Sequence, residues 1–280
     1  MHPGDTQPLV PAEPTVDAPA LSIPPAALRF CPACGATWRP EWTACPRCAS
    51  VQTARESALA GDRAERHPLR APLVLYFAML ATSFAAVIGS AIVGESAGEL
   101  HLYLQWGVQV VDALIVLVAV ALLWRTCRSS LRSIGRWFWY PGAALAGLLT
   151  FLITSLLLRT LTGRLEIESS DGLGPLWDAG FGWMAAVLTI AVQPAIIEEL
   201  AFRGIMLPAF ARIMPTGAAI AVSSVMFMVL HLMPLAFPHL LLIGLILGGL
   251  RVASGSVYPG IILHFTHNLL VAIDQAYPII

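Results

Sequence analysis

Ile197-Glu198-Glu199-Leu200-Ala201-Phe202-Arg203-Gly204 sets two adjacent carboxylates and a guanidinium inside an apolar run. No charged residue occurs between Gly180 and Ile197, and Ile205-Met206-Leu207 follows. An ionised side chain near a bilayer centre costs at least ~2.5–3.5 kcal/mol on insertion scales, so such residues mark a functional site or a paired interior contact. On a helix, Glu199 and Arg203 stand four apart on one face and can pair. Glu198 is turned about 100° away and lacks that partner. Glu198 is therefore the carboxylate left for chemistry.

The rest of the chain agrees with a membrane setting. Of 280 residues, 57% are hydrophobic and 12% charged, more apolar and less charged than soluble domains. A net charge of -1 gives no bulk case for nucleic-acid binding. Runs near the ~20 residues that span a bilayer fall at 72–94, 102–124 and 138–158, and a fourth begins near Gly180. Three more, at about 217–231, 236–250 and 257–273, complete a predicted all-α bundle of about seven transmembrane helices. The fifth and sixth are short, and Pro234 and Pro238 between them predict a tight, partly embedded connection. Arginines before the first helix, at Arg125, Arg128, Arg132 and Arg136, and at Arg212 and Arg251 place the N-terminus in the cytoplasm. The expected location is the cell membrane, with multiple passes. The first residues lack the basic start and apolar core of a signal peptide, so no cleavage is expected.

Ahead of the helices, residues 1–29 read as a disordered Pro/Ala-rich segment, 30–50 as a small metal domain and 51–70 as a polar linker. Residues 71–179 hold the first transmembrane helices and 180–280 a core with the polar clusters. Cys31-Pro-Ala-Cys34 and Cys45-Pro-Arg-Cys48 are paired CxxC knuckles that can hold one Zn²⁺ tetrahedrally, replacing a hydrophobic core that so short a segment cannot supply. Disulfide pairs or a redox CxxC are the competing readings, disfavoured by reducing cytosol and by the two matched pairs. With four Cys ligands the zinc has no open position and is structural. The segment resembles the zinc ribbons at the ends of many bacterial membrane proteins, which implies an interaction module for a protein partner.

Three polar clusters stand in the last hundred residues: Glu198-Glu199 with Arg203, Phe227 with His231, and His264 with Asn268. Glu198 lies fourteen residues before Arg212 and His231 sixteen after Pro215, so at ~1.5 Å per residue both sit about 20 Å from the same turn and antiparallel neighbours bring them level. His264 and Asn268, four apart, share a face. A single membrane His or Glu-Arg pair is as readily interhelical glue; four such groups at one depth on three segments are a poor case for glue alone. Phe227 is read as packing that fixes the His231 ring and His267 as an accessory. His239 is read as interfacial, Asp112 as a packing or pathway residue, and Cys127 as incidental or at most a lipidation site.

Glu-Glu-x-x-x-Arg (198–203), Phe-x-x-x-His (227–231) and His-x-x-x-Asn (264–268), in that order, resemble the three motifs of the CAAX-prenyl-protease and bacteriocin-processing (CPBP, or Abi) family of intramembrane endopeptidases. The resemblance covers roughly 180–273, with lesser likeness at Gly204, Gly244, Gly248 and the 254–259 turn; the first three helices and the ribbon lie outside it. It implies hydrolysis of a membrane-associated peptide or protein. Glu198 and His231 would then activate water, His264 and Asn268 would hold the oxyanion, and Glu199, Arg203 and Phe227 would support them. Glu with two His is also a plausible catalytic zinc set; metal-free glutamate chemistry is favoured, and there is no HExxH. The rival class is a non-peptidase, either a proton-coupled transporter or a scaffold or immunity protein using the same polar cavity.

Overall fold

Long apolar stretches with few breakers can satisfy their backbone only as helices when water is excluded, and the chain folds accordingly. The computed structural model describes residues 69–93, 99–165 and 173–277, with the backbone of 29–30 and 37–38. The first part is a pair of two-residue strands, β1 (Arg29–Phe30) and β2 (Thr37–Trp38), antiparallel with Arg29 opposite Trp38. The segment joining them carries Cys31 and Cys34 in sequence. The four cysteines of the expected zinc site, and most of the 1–29, 30–50 and 51–70 segments, lie outside the described residues.

The helices are α1 (Arg70–Val93), α2 (Glu99–Leu122), α3 (Trp124–Arg132), α4 (Trp139–Leu165), α5 (Gly174–Asp178), α6 (Trp183–Phe210), α7 (Thr216–Leu230), α8 (Phe237–Ser254) and α9 (Tyr258–Ala276). Among the described residues five are long and apolar enough to cross a membrane: α1, α2 from Leu102, α4 to Thr160, α6, and α8 with its leading turn from Pro234. The fifth and seventh predicted spans form as helices, yet α7 has only fifteen residues. The seventh, α9, falls short of that composition because it carries His264, His267 and Asn268. Large side chains such as Phe77, Ile92, Leu114 and Leu156 face outward, as expected of a lipid-facing surface.

Helices associate in lipid through close packing of small residues rather than through hydrophobic burial. Gly244 and Gly248 let α8 press on α7, where an added Cβ would stand 2.9 Å from Ser224 Cβ and 2.8 Å from Ile220 Cγ2. Gly147 does the same for α4 against α9, with Leu263 O 2.7 Å from the position of an added Cβ. The short helix α3 docks on the α8–α9 turn, where Leu131 O accepts from Tyr258 Oη at 2.9 Å and Ser130 O from Val257 N at 3.4 Å. Gly255 closes α8 in the left-handed region, at φ 68°.

Arg251 lies in the last turn of α8, where it is buried and donates from Nε to Arg203 O at 3.3 Å as α8 packs on the widened part of α6. One side-chain reading changes here. Cys127 is fully buried with its thiol against the Leu123 carbonyl, so it offers no accessible sulfur for lipidation.

Candidate active site

Helix α6 carries the carboxylate pair near its middle, flanked by Pro194 and Pro208. A helical proline supplies no N–H and its ring crowds the carbonyl four residues back, here Ile190 and Gly204. Around each of these carbonyls the helix widens into a π segment, Val187–Val192 and Leu200–Met206. The loosened carbonyls of the first segment find side-chain donors. Asn268 Nδ2 donates to Ile190 O at 3.0 Å, and Gln109 Nε2 to Thr189 O at 3.3 Å. Gln193 Nε2 returns a bond to Gln109 O at 3.2 Å, tying α6 to α2.

Glu199 and Arg203 are both fully buried and paired, Nη1 to Oε1 at 2.9 Å. Arg203 also donates from Nη2 to Gly244 O at 3.1 Å and lies 4.7 Å from the centre of the Phe227 ring. The ion pair is thus hydrogen-bonded and stacked, which offsets part of the cost of burying it, while Arg203 Nε and Glu199 Oε2 are buried without a hydrogen-bond partner among the described residues. The other oxygen of Glu199 faces Gly260, where an added Cβ would stand 2.6 Å from Oε2.

Glu198 points the other way. Its Oε2 is 4.0 Å from Nε2 of His231 and 4.0 Å from Nε2 of His264, and has no hydrogen-bond partner within the protein. His231 donates from Nδ1 to Phe227 O at 2.8 Å, which leaves Nε2 as an acceptor toward Glu198. His264 lies between the two carboxylates, with Nδ1 3.6 Å from Glu199 Oε1. Phe227 braces both rings, 4.9 Å from His231 and 6.0 Å from His264 by centroid. Helix α7 ends just before His231, and Leu232 adopts φ 53°. That left-handed backbone is strained for a leucine and turns the chain away immediately after the imidazole.

A cleft of about 290 Å³ leads to Glu198 and His231. Its other wall is α1 and α2, with Gln105, Gln109 and Asp112 facing in.

The structure therefore brings together Glu198, His231, His264, Glu199, Arg203 and Phe227. Asn268 shares the His264 face but is engaged at Ile190. His267 is turned to α4, where Nδ1 meets Thr150 Oγ1 at 3.2 Å; since Thr150 donates to Gly147 O, the imidazole is the donor and ties two helices. His239 is half-buried, with Nδ1 buried and without a hydrogen-bond partner among the described residues. Sequence reading passed over Gln109, Gly260 and the two prolines. Pro194 and Pro208, fourteen apart around Glu198-Glu199, were the available signal.

The spacing around Glu198 is wider than that of a catalytic zinc set. Tetrahedral ligands about 2.1 Å from Zn²⁺ stand about 3.4 Å apart, whereas Glu198 Oε2 is 4.0 Å from each imidazole nitrogen. Among the described residues no group of three His, Cys, Asp or Glu is placed to hold a metal.

Residues 180–270 match the family model of type II CAAX prenyl endopeptidases, Rce1-like. The match covers about a third of the chain and contains the polar groups gathered around Glu198 except those of the α1 and α2 wall. No curated protein and no solved structure matches the chain. Five helices long and apolar enough to cross a bilayer support a multi-pass membrane protein, and its residues 180–270 are similar to the CAAX-endopeptidase family.

Proposed function

We propose that the protein is an intramembrane endopeptidase that hydrolyses membrane-associated peptides with a water activated by Glu198 and His231. The observation that carries this reading is the position of Glu198, which lines a cleft with its Oε2 4.0 Å from two imidazole nitrogens. Two acceptors 4.0 Å apart hold a water about 2.8 Å from each at an angle of about 90°, close to its own bond angle. Glu198 takes the proton as that oxygen attacks the scissile carbonyl, and returns it to the leaving amine. His264 Nε2 is the oxyanion donor, with the Glu199 carboxylate behind its Nδ1 offsetting charge on the ring.

Asn268 serves the same oxyanion through its remaining amide hydrogen, the first being engaged by Ile190 O. Glu199, Arg203 and Phe227 position this set. A metal-free glutamate mechanism suits the spacing better than zinc. The four cysteines 31, 34, 45 and 48 are the right donor set for one structural Zn²⁺, in a ribbon at 30–50 that serves as a docking module for a protein partner. The core is 180–280, preceded by helices at 71–179, with the N-terminus cytoplasmic.

The test is cleavage of a panel of membrane-embedded peptides by the detergent-solubilised chain against Glu198→Ala, with the zinc content of both determined. Loss of cleavage with one zinc per chain in each supports the proposal. A second zinc that disappears with Glu198→Ala moves the chemistry to metal, and equal cleavage by both removes Glu198 from the reaction.

A further inference from the structure

The wall opposite Glu198 belongs to α1 and α2, outside the residues that match the family model. Gln105, Gln109 and Asp112, spaced four and three apart, form one face of α2 and line the same cleft as Glu198 and His231. Asp112 sits near the middle of α2, at a depth where a carboxylate calls for a partner. Oδ1 lies 2.5 Å from Thr82 Oγ1, whose single hydrogen is shared with Met79 O, 2.6 Å away, so the hydroxyl is no counter-charge for Asp112. No arginine or histidine pairs with Asp112 among the described residues. Arg203, the guanidinium of α6, faces Glu199 and Gly244 instead.

Among the described residues the cleft thus presents two carboxylates, neutral amides, the His231 imidazole and apolar walls such as Met79, Val108 and Leu230, with no arginine lining it. We propose that Asp112 is a subsite for an organic cation of the substrate, a Lys or Arg side chain or a free α-amine, bound beside Glu198. The inference takes its catalytic meaning from the endopeptidase reading, but the binding it asserts does not depend on cleavage. An alkylammonium would donate to Asp112 and to the side-chain carbonyls of the glutamines, while its aliphatic stem lies along Met79 and Val108. In a site of low dielectric that attraction is far stronger than at a surface. A wholly aliphatic segment would instead leave Asp112 without a counter-charge.

The test uses fluorescein-labelled Leu/Ala peptides of about 20 residues, carrying lysine or norleucine at scanned positions, each N-acetylated or free. They are titrated onto the full chain with Glu198→Gln in detergent and followed by anisotropy. We expect the charged peptide to bind about tenfold tighter than its neutral counterpart, and Asp112→Asn to remove that gap. A gap between acetylated lysine and norleucine peptides assigns the side chain, and one between free and acetylated norleucine peptides assigns the α-amine. No gap in either pair, or a gap that survives Asp112→Asn, overturns the proposal. Cleavage by the wild-type chain is scored separately. Cleavage of neutral peptides without a charge preference leaves the peptidase reading standing alone, and a binding gap with no cleavage of any peptide overturns only that reading.

Discussion

Gly260 of α9 stands where a Cβ would lie 2.6 Å from Glu199 Oε2, so the missing side chain is the space that the buried carboxylate occupies. Gly260→Ala should push Glu199 off Arg203, destabilise the protein by ~1–3 kcal/mol through overpacking and lower peptidase activity. Gly249→Ala, where an added Cβ meets nothing within 4 Å, should leave both unchanged. Thermal unfolding in detergent, read beside cleavage, checks the pair.

Removing the cation of the buried pair should be worse than removing its charge partner. Arg203→Ala leaves Glu199, at 0% exposure, without compensation, at a cost of about 3–5 kcal/mol. Glu199→Gln keeps a hydrogen-bonding side chain of the same shape and should be milder. Reversal of that order in denaturation measurements would show that the pair is not held as described.

Asn268 donates to a carbonyl that Pro194 cannot serve. Asn268→Ala should therefore cost ~1 kcal/mol, and Pro194→Ala, which restores an N–H, should recover part of it. If Asn268 also holds the oxyanion, the lost kcat persists in the double variant while the stability returns. Unfolding and single-turnover cleavage on the four proteins of the cycle separate the two roles.

Glu198→Gln and His231→Ala should each lower kcat by about 10²–10⁴-fold with little change in unfolding temperature, because both side chains line the cleft rather than the packed interior. An unfolding temperature that falls with the rate would mark them as structural.

Cys31→Ser with Cys34→Ser should take the purified chain from one zinc to none while cleavage of a minimal peptide persists, since four thiolates leave no open coordination position. Zinc content by elemental analysis, with cleavage alongside, tests it.

Composition and run length showed a membrane protein, and helix periodicity alone paired Glu199 with Arg203 and left Glu198 apart, because i,i+4 geometry is local. Depth counting also brought His231 level with Glu198, since rise per residue is fixed along a helix. Those readings came from the chain without any knowledge of which helices are neighbours.

Tertiary structure decided what no local rule contains. That Asn268 reaches Ile190, that Gly260 admits Glu199, that His267 turns to Thr150 and that Asp112 faces the Glu198 cleft all depend on which helix faces which. Arg251 shows the same limit: its charge gave no sign that packing would bury it against the Arg203 carbonyl. Sequence determined the helices and the spacing of their polar groups through covalent periodicity. The meeting of those groups was decided by small-residue contacts between helices far apart in the chain.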